Sequence, residues 1–345
     1  MAYLSSFCFL LILSGGGRLT TDAAISLGTY NVDPGSITVS GLSSGGAMST
    51  QFHVAHSQLI SGVAIFAAPA PYRCALGSLT LGLTCMSSPL LTNVDRLIQD
   101  ARDYANAGRI DPIANMQDDK VFLFQGTNDG TVRPGNGPLN EEFYRAFTNP
   151  ENIKTVFNVE AGHGFPTDIE GNSPCHLTEE PNYINDCDYN AVGDMFEHFY
   201  GPAAPESSGG ARASGTLYEF DQGEFFLISP PALSSMDSIG LVYVPAACEL
   251  GDACKLHVAF HGCNQGRQEV GNVFHSLTNF EMEADRHNVI VLYPQVIASL
   301  LTPVNPQGCW DWWGYNLGAY ATQEGNQIIA VKRMIDKIIG ADRYD

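Results

Sequence analysis

The sequence runs to 345 residues, of which 44% are hydrophobic and 16% charged, and its formal net charge is −20. That length allows one large domain or two small ones around a sizeable core. A surface this acidic repels nucleic acid and anionic lipid headgroups, so neither is expected as a partner, and a neutral substrate is easier to accept than an anionic one.

The first element is Phe7–Leu13 (FCFLLIL), an apolar run too short to cross a bilayer, followed by small and polar residues from Ser14 to Ala24. It reads as a secretion signal over residues 1–24, although the stretch before it carries no Lys or Arg. Cysteine usage agrees with an extracellular, oxidising destination: nine are present, Cys8 falls inside the leader, and eight remain. Eight cysteines permit roughly a hundred pairings. Short spacing favours Cys74–Cys85, Cys175–Cys187, Cys248–Cys254 and Cys263–Cys309, against a rival reading as buried free thiols. No CxxC pair is present to hold zinc, so no metal is expected.

Beyond the leader, strands and helices alternate. Ser36–Ser40 (SITVS) reads as a buried strand and Gly45 to about His56 as a helix. Gly62–Ala67 is a second strand, and Thr92–Ala107 has helical periodicity with Val94, Leu97 and Ile98 apolar. Lys120–Gln125 and Lys154–Val159 are further strands, and Ala191–Tyr200 a helix. Gly201–Gly215, rich in Pro, Gly and Ser, reads as a linker or long surface loop. Strands then follow at Ile239–Val244, Leu256–Phe260 and Val289–Tyr293, with helices at Phe274–His287 and Thr322–Ile339. This alternation predicts an α/β fold, a mostly parallel sheet covered by helices on both faces, in a single domain over residues 25–345.

Gly41-Leu42-Ser43-Ser44-Gly45 matches G-x-S-x-G, a weak signal alone. Its context strengthens it, because it follows a strand directly and opens a helix, as a nucleophile elbow requires. A side chain at Gly41 or Gly45 would crowd the neighbouring strand or helix. The Ser44 N–H lies at the helix N-terminus, where it can donate to an oxyanion. A serine hydroxyl needs a base, and His163 fits, in a glycine-flanked loop past a strand, where parallel sheets bind ligands. Asp129, in the loop after the preceding strand, fits as the acid that orients it. The order Ser43, Asp129, His163 is that of α/β-hydrolases. The bland alternatives are a Gly/Ser-rich turn at Ser43 and an Asn-Asp-Gly turn at Asp129.

An ordinary α/β-hydrolase places the loop with its second oxyanion N–H before the serine, and too few mature residues precede Ser43 for that. The missing piece stands at the other end: the strand Leu256–Phe260 runs into His261-Gly262-Cys263, an HG-type loop, and a further strand follows. This predicts a circular permutation, with residues 201–215 joining the former ends. All three tryptophans fall in Cys309-Trp310-Asp311-Trp312-Trp313. If Cys309 bonds Cys263, Trp310 is held beside the oxyanion loop as an apolar wall, with Trp312 or Trp313 expected in the core.

The ordered set SGLSSGG, GTNDGTV, GHGFPTD, HGC, YPQ and GCWDWWG resembles extracellular poly(3-hydroxybutyrate) depolymerases with a permuted catalytic domain, including single-domain fungal forms. The similarity covers about residues 28–340. The resemblance implies an α/β-hydrolase fold, a Ser43, Asp129 and His163 triad, an oxyanion hole from the Ser44 and Cys263 amides, Trp310 near the substrate, and the four disulfides above. It implies a neutral polyester or oligoester substrate, no cofactor and no metal; a monomer is expected. Ala68-Pro69-Ala70-Pro71 departs from it, where a glycine-rich turn is expected. Many bacterial members carry a separate polymer-binding domain after the catalytic one. None follows here before Asp345, so adsorption is expected to use apolar residues around the crevice. Two rivals remain: a feruloyl, acetyl or other polyester esterase of the same fold, and a non-catalytic secreted protein that holds a polymer or glycan.

Overall fold

The computed structural model describes residues 24–341, apart from 181, 204–212 and 317. Nearly all of the expected leader, and most of the expected joining loop, lie outside the described residues.

Strands β1 (Val32–Leu42), β2 (Gly62–Phe66), β3 (Lys120–Phe124) and β4 (Ile153–Val156) come first in the chain. Strands β5 (Phe165–Thr167), β6 (Ser173–Pro174) and β7 (Ile184–Asp186) form a small parallel sheet, and β8 (Thr216–Asp221), β9 (Ile239–Val244), β10 (Cys254–Phe260) and β11 (Val289–Tyr293) follow. The large sheet is ordered β4-β3-β2-β1-β10-β11-β9-β8. Neighbours from β4 to β11 are parallel, and only β9 and β8, at the far edge, run antiparallel to their neighbours. The late strands β10 and β11 thus fill the sheet beside β1, the arrangement a permuted chain requires.

The inner strands are built to be buried on both sides, with side chains alternating between two cores. In β2, Val63 and Ile65 point into one core and Ala64 and Phe66 into the other. The first core is covered by α1 (Ser44–Ala55), α3 (Val94–Asn106), α4 (Asn136–Arg145) and α7 (Asn326–Ile339), and the second by α5 (Ala191–Tyr200) and α6 (Phe280–His287). Helix α2 (Leu79–Ser87) packs on neither, its Cys85 belonging to a small cluster with Trp312 and Trp313.

Three boundaries differ from expectation. The fourth strand stops at Val156, and residues 157–164 run on as a loop. The expected helix Phe274–His287 is broken by Asn279, whose φ is +65°. Asparagine tolerates the left-handed region better than most residues, and its side-chain amide is held by a tertiary bond, donating to Asp168 Oδ1 at 2.6 Å. The last helix begins at Asn326 because Thr322–Gly325 closes a turn instead. Helices α2 and α4 and strands β5 to β8 were not expected. None of the described helices is long and apolar enough to cross a membrane.

Candidate active site

Ser43 stands between the end of β1 and the start of α1 with φ 56° and ψ −115°. An L residue rarely takes this conformation, and it holds the hydroxyl out of the turn. The close packing explains the glycines. A Cβ on Gly41 would stand 2.3 Å from the backbone of Gly45, and one on Gly45 2.2 Å from the carbonyl oxygen of Phe260.

Asp129 and His163 come from two loops that run side by side past β3 and β4. Thr127 N–H donates to Val159 O at 2.9 Å and Asn128 N–H to Ala161 O at 3.1 Å. Gly126 permits this approach, since a Cβ there would meet Ala161 O at 2.2 Å. The loops bring His163 Nδ1 to 2.8 Å from Asp129 Oδ2, with both side chains buried. The other carboxylate oxygen accepts the N–H groups of Thr131 at 2.9 Å and Val132 at 2.8 Å. Gln125 Nε2 donates to Oδ2 at 3.2 Å. With Nδ1 bonded to the carboxylate, the Nε2 edge of His163 is left for another partner. Among the described residues it makes no hydrogen bond to Ser43, but both residues line one cavity of about 290 Å³.

Ser44 and Cys263 line the same cavity, and among the described residues neither backbone N–H has a hydrogen-bond acceptor. They stand at the ends of neighbouring parallel strands, β1 and β10, so the sheet register sets their separation. All four expected disulfides are present, and Cys263–Cys309 ties the loop after β10 to the tryptophan segment.

The expectation for Trp310 is corrected, whereas Trp312 and Trp313 are both buried in a small apolar cluster, as expected of one of them. Trp310 is fully buried under the loop after β10, its ring centroid 4.8 Å from Phe260 and 5.8 Å from His261, and it does not line the cavity. Trp312 and Trp313 line it instead. The reason is Asp311, whose carboxylate accepts the N–H groups of Gly314 at 2.7 Å, Tyr315 at 2.9 Å and Asn316 at 2.9 Å. That bonding curls the segment and sets the two later rings, still buried, against the cavity wall.

Sequence reasoning missed Leu79, Leu83 and Met86 on α2, Thr178 and Tyr183 in the Cys175–Cys187 loop, and Gln265, all of which line the cavity. Pro69, in the departing Ala-Pro-Ala-Pro segment, lines it too. The disulfide loop is placed by short bonds: His163 N–H donates to Thr178 Oγ1 at 2.8 Å, and Gly162 N–H to Cys175 O at 2.8 Å. A larger hollow of about 700 Å³, lined by His56, Lys332 and Arg333 among others, contains none of these residues.

No protein-family model matches the chain. Individual relatives do. The chain is 36% identical over 319 residues to a poly(3-hydroxybutyrate) depolymerase of Delftia acidovorans, covering 92% of this chain and 62% of that protein. It is 33% identical over 330 residues to a polyhydroxybutyrate depolymerase of Talaromyces funiculosus, covering 92% of this chain and 93% of that one. The crystal structure of a PHB depolymerase from Penicillium funiculosum superposes with a TM-score of 0.83 at 31% identity, over 92% of this chain and all of that one. A solved PHB depolymerase variant complexed with R3HB trimer matches equally well.

Proposed function

The chain belongs to the poly(3-hydroxybutyrate) depolymerase family, and from that membership we propose that it is a secreted serine esterase that hydrolyses poly(3-hydroxybutyrate) or a related short-chain polyhydroxyalkanoate. The observation that carries this reading is the 2.8 Å bond between Asp129 and His163 in the cavity that also holds the Ser43 elbow. Four disulfides support an oxidising, extracellular compartment.

Ser43 Oγ attacks the ester carbonyl while His163 Nε2 takes its proton. The carbonyl electron pair moves to oxygen, where the Ser44 and Cys263 N–H groups hold the negative charge. The start of α1 adds the positive end of the helix dipole at Ser44. The tetrahedral intermediate collapses, the C–O bond to the alcohol end breaks, and His163 gives that oxygen its proton. Water, deprotonated by His163, then attacks the acyl-Ser43 carbonyl, the bond from the acyl carbon to Oγ breaks, and His163 returns the proton to Oγ as a 3-hydroxy acid or a short oligomer leaves. Asp129 fixes the imidazole and stabilises its charged form. The enzyme acts as a monomer on a neutral ester.

Solid substrate is met by the rim of the crevice. Leu79 and Leu83 line the cavity yet are 55% and 56% exposed. Next to α2, Leu90 and Leu91 are also exposed. Apolar side chains held in water beside an active site are an adsorption surface for an apolar polymer.

The test is acid release from amorphous poly(3-hydroxybutyrate) by wild type beside Ser43→Ala. Release by wild type alone supports the reading. Ser43-dependent cleavage of p-nitrophenyl butyrate without polymer release would keep the esterase and discard the polymer. Inactivity on both would overturn the enzyme assignment.

A further inference from the structure

Gly262, in the loop after β10, is held on both its polar groups. Its N–H donates to Gln265 Oε1 at 2.7 Å. Its carbonyl oxygen faces His261 Nδ1 at 2.7 Å and accepts the Gln265 N–H at 3.3 Å. A carbonyl can only accept, so Nδ1 carries the ring proton. Nε2 is then the acceptor that the Val296 N–H, 3.2 Å away, requires. One neutral tautomer satisfies both ring nitrogens of this fully buried histidine.

The peptide joining Gly262 to Cys263 is trans and planar, so its carbonyl and its N–H point in opposite directions. Gripping the Gly262 carbonyl therefore aims the Cys263 N–H the other way, with no other acceptor to divert it. Gln265 has a second attachment. Its Nε2 donates to Asn182 O at 2.6 Å and to Tyr183 O at 3.2 Å. Tyr183 O also accepts the N–H of Phe165 at 2.8 Å, just past His163. A continuous run of hydrogen bonds thus links the oxyanion loop to the loop that carries the imidazole. Of the side chains close in size, only a carboxamide both accepts from an N–H and donates to two carbonyls, and Gln265 is 1% exposed, so water cannot substitute for it.

We infer that Gln265 and His261 are positioning residues that aim the Cys263 N–H at the oxyanion and fix its spacing from His163. The inference rests on the serine-esterase reading. An oxyanion exists only in the transition state and intermediate, so misaiming its donor lowers kcat and leaves KM nearly unchanged.

The test is Gln265→Met, similar in size but unable to make either bond. With p-nitrophenyl butyrate, kcat is expected to fall roughly 10- to 100-fold with KM within about threefold. Affinity for a trifluoromethyl ketone, which adds to Ser43 and creates the oxyanion, is expected to fall by the same factor as kcat/KM. A variant with wild-type circular dichroism and kcat within about twofold of wild type would overturn the inference. If the variant does not fold, ¹⁵N NMR of His261 in the wild-type protein decides. A ring protonated on Nδ1 supports the inference, and one protonated on Nε2 overturns it. Ser43→Ala, assayed in parallel, separates the two levels. If it keeps activity, the esterase reading falls. If it is inactive while Gln265→Met is unaffected, only the positioning role falls.

Discussion

A Cβ added to Gly45 would stand 2.2 Å from the carbonyl oxygen of Phe260 and 2.5 Å from that of His261. The helix that offers the Ser44 N–H therefore lies directly on the strand that leads to Cys263, and the two free amides share one cavity because nothing separates their supports. Gly45→Ala forces backbone against backbone and is expected to cost about 3 kcal/mol or more, with activity lost at the same time. Gly130→Ala, beside Asp129 but with nothing within 4 Å of the added carbon, is expected to change stability by less than about 0.5 kcal/mol. Urea unfolding of both variants measures the contrast. Equal stability of Gly45→Ala and wild type would refute the packing argument.

Asp129→Asn keeps an oxygen for the Thr131 and Val132 N–H groups, so the loop is expected to hold its shape. An amide no longer fixes the His163 tautomer with Nε2 facing the serine, nor stabilises the imidazolium. The kcat for a soluble ester is expected to fall about 10³- to 10⁴-fold with a near-normal Tm. A drop below about tenfold would mean that Asp129 only shapes its turn.

The parts legible in the sequence are those with local causes. The elbow is written as a strand, G-x-S-x-G and a helix within a few residues, and the late strands announce themselves as apolar runs. Trp310 was misassigned because its placement depends on Asp311, whose three backbone hydrogen bonds decide which indoles reach the cavity wall. Helix α2 was invisible because its leucines face solvent, so no amphipathic period marks it. Gln265 gave no signal either. Its role depends on carbonyls at Asn182 and Tyr183, which only the folded chain brings near.

The rim leucines separate adsorption from chemistry. Leu90 and Leu91 are solvent-exposed and outside the cavity, so replacing both with Ser is expected to leave the fold and soluble-ester kcat within about twofold. Binding to polymer granules is expected to weaken about tenfold or more, as two large apolar contacts are removed. A granule-depletion assay reads this directly, and undiminished adsorption would place the contact elsewhere.

The Cys263–Cys309 bridge closes the longest loop of the four, with a sequence separation of 46. Chain-entropy reasoning gives it about 4 kcal/mol of stabilisation. The double variant Cys263→Ser/Cys309→Ser is expected to lose roughly that amount in urea unfolding. The same change to Cys248 and Cys254, separated by only 6, is expected to cost less. Its kcat is expected to stay near wild type, because that bridge lies away from the site, whereas the first variant loosens Cys263, the proposed oxyanion donor. Equal effects on kcat would contradict this assignment.

Acid is expected to destabilise the fold through buried histidines other than His163. Burial pushes His257 down to about 3 and His261 down to about 4; burial, then Lys332, lowers His56 to about 3. An unfolded chain protonates each near its ordinary value of about 6.5. Between those limits the unfolded state binds protons that the folded state does not, so stability rises with pH in that window. The contribution is complete above about pH 6.5 and is lost as pH falls toward about 4 for His261 and about 3 for His56 and His257, at up to about 1.4 kcal/mol per unit for each group. His56 suits the test because its Nε2 has no partner to lose. Wild type is expected to lose several kcal/mol between about pH 7 and about pH 5, and His56→Gln about 2 kcal/mol less. Urea unfolding at the two pH values reads the difference. Parallel losses in both proteins would mean that His56 is protonated inside the fold, and that burial does not control its charge.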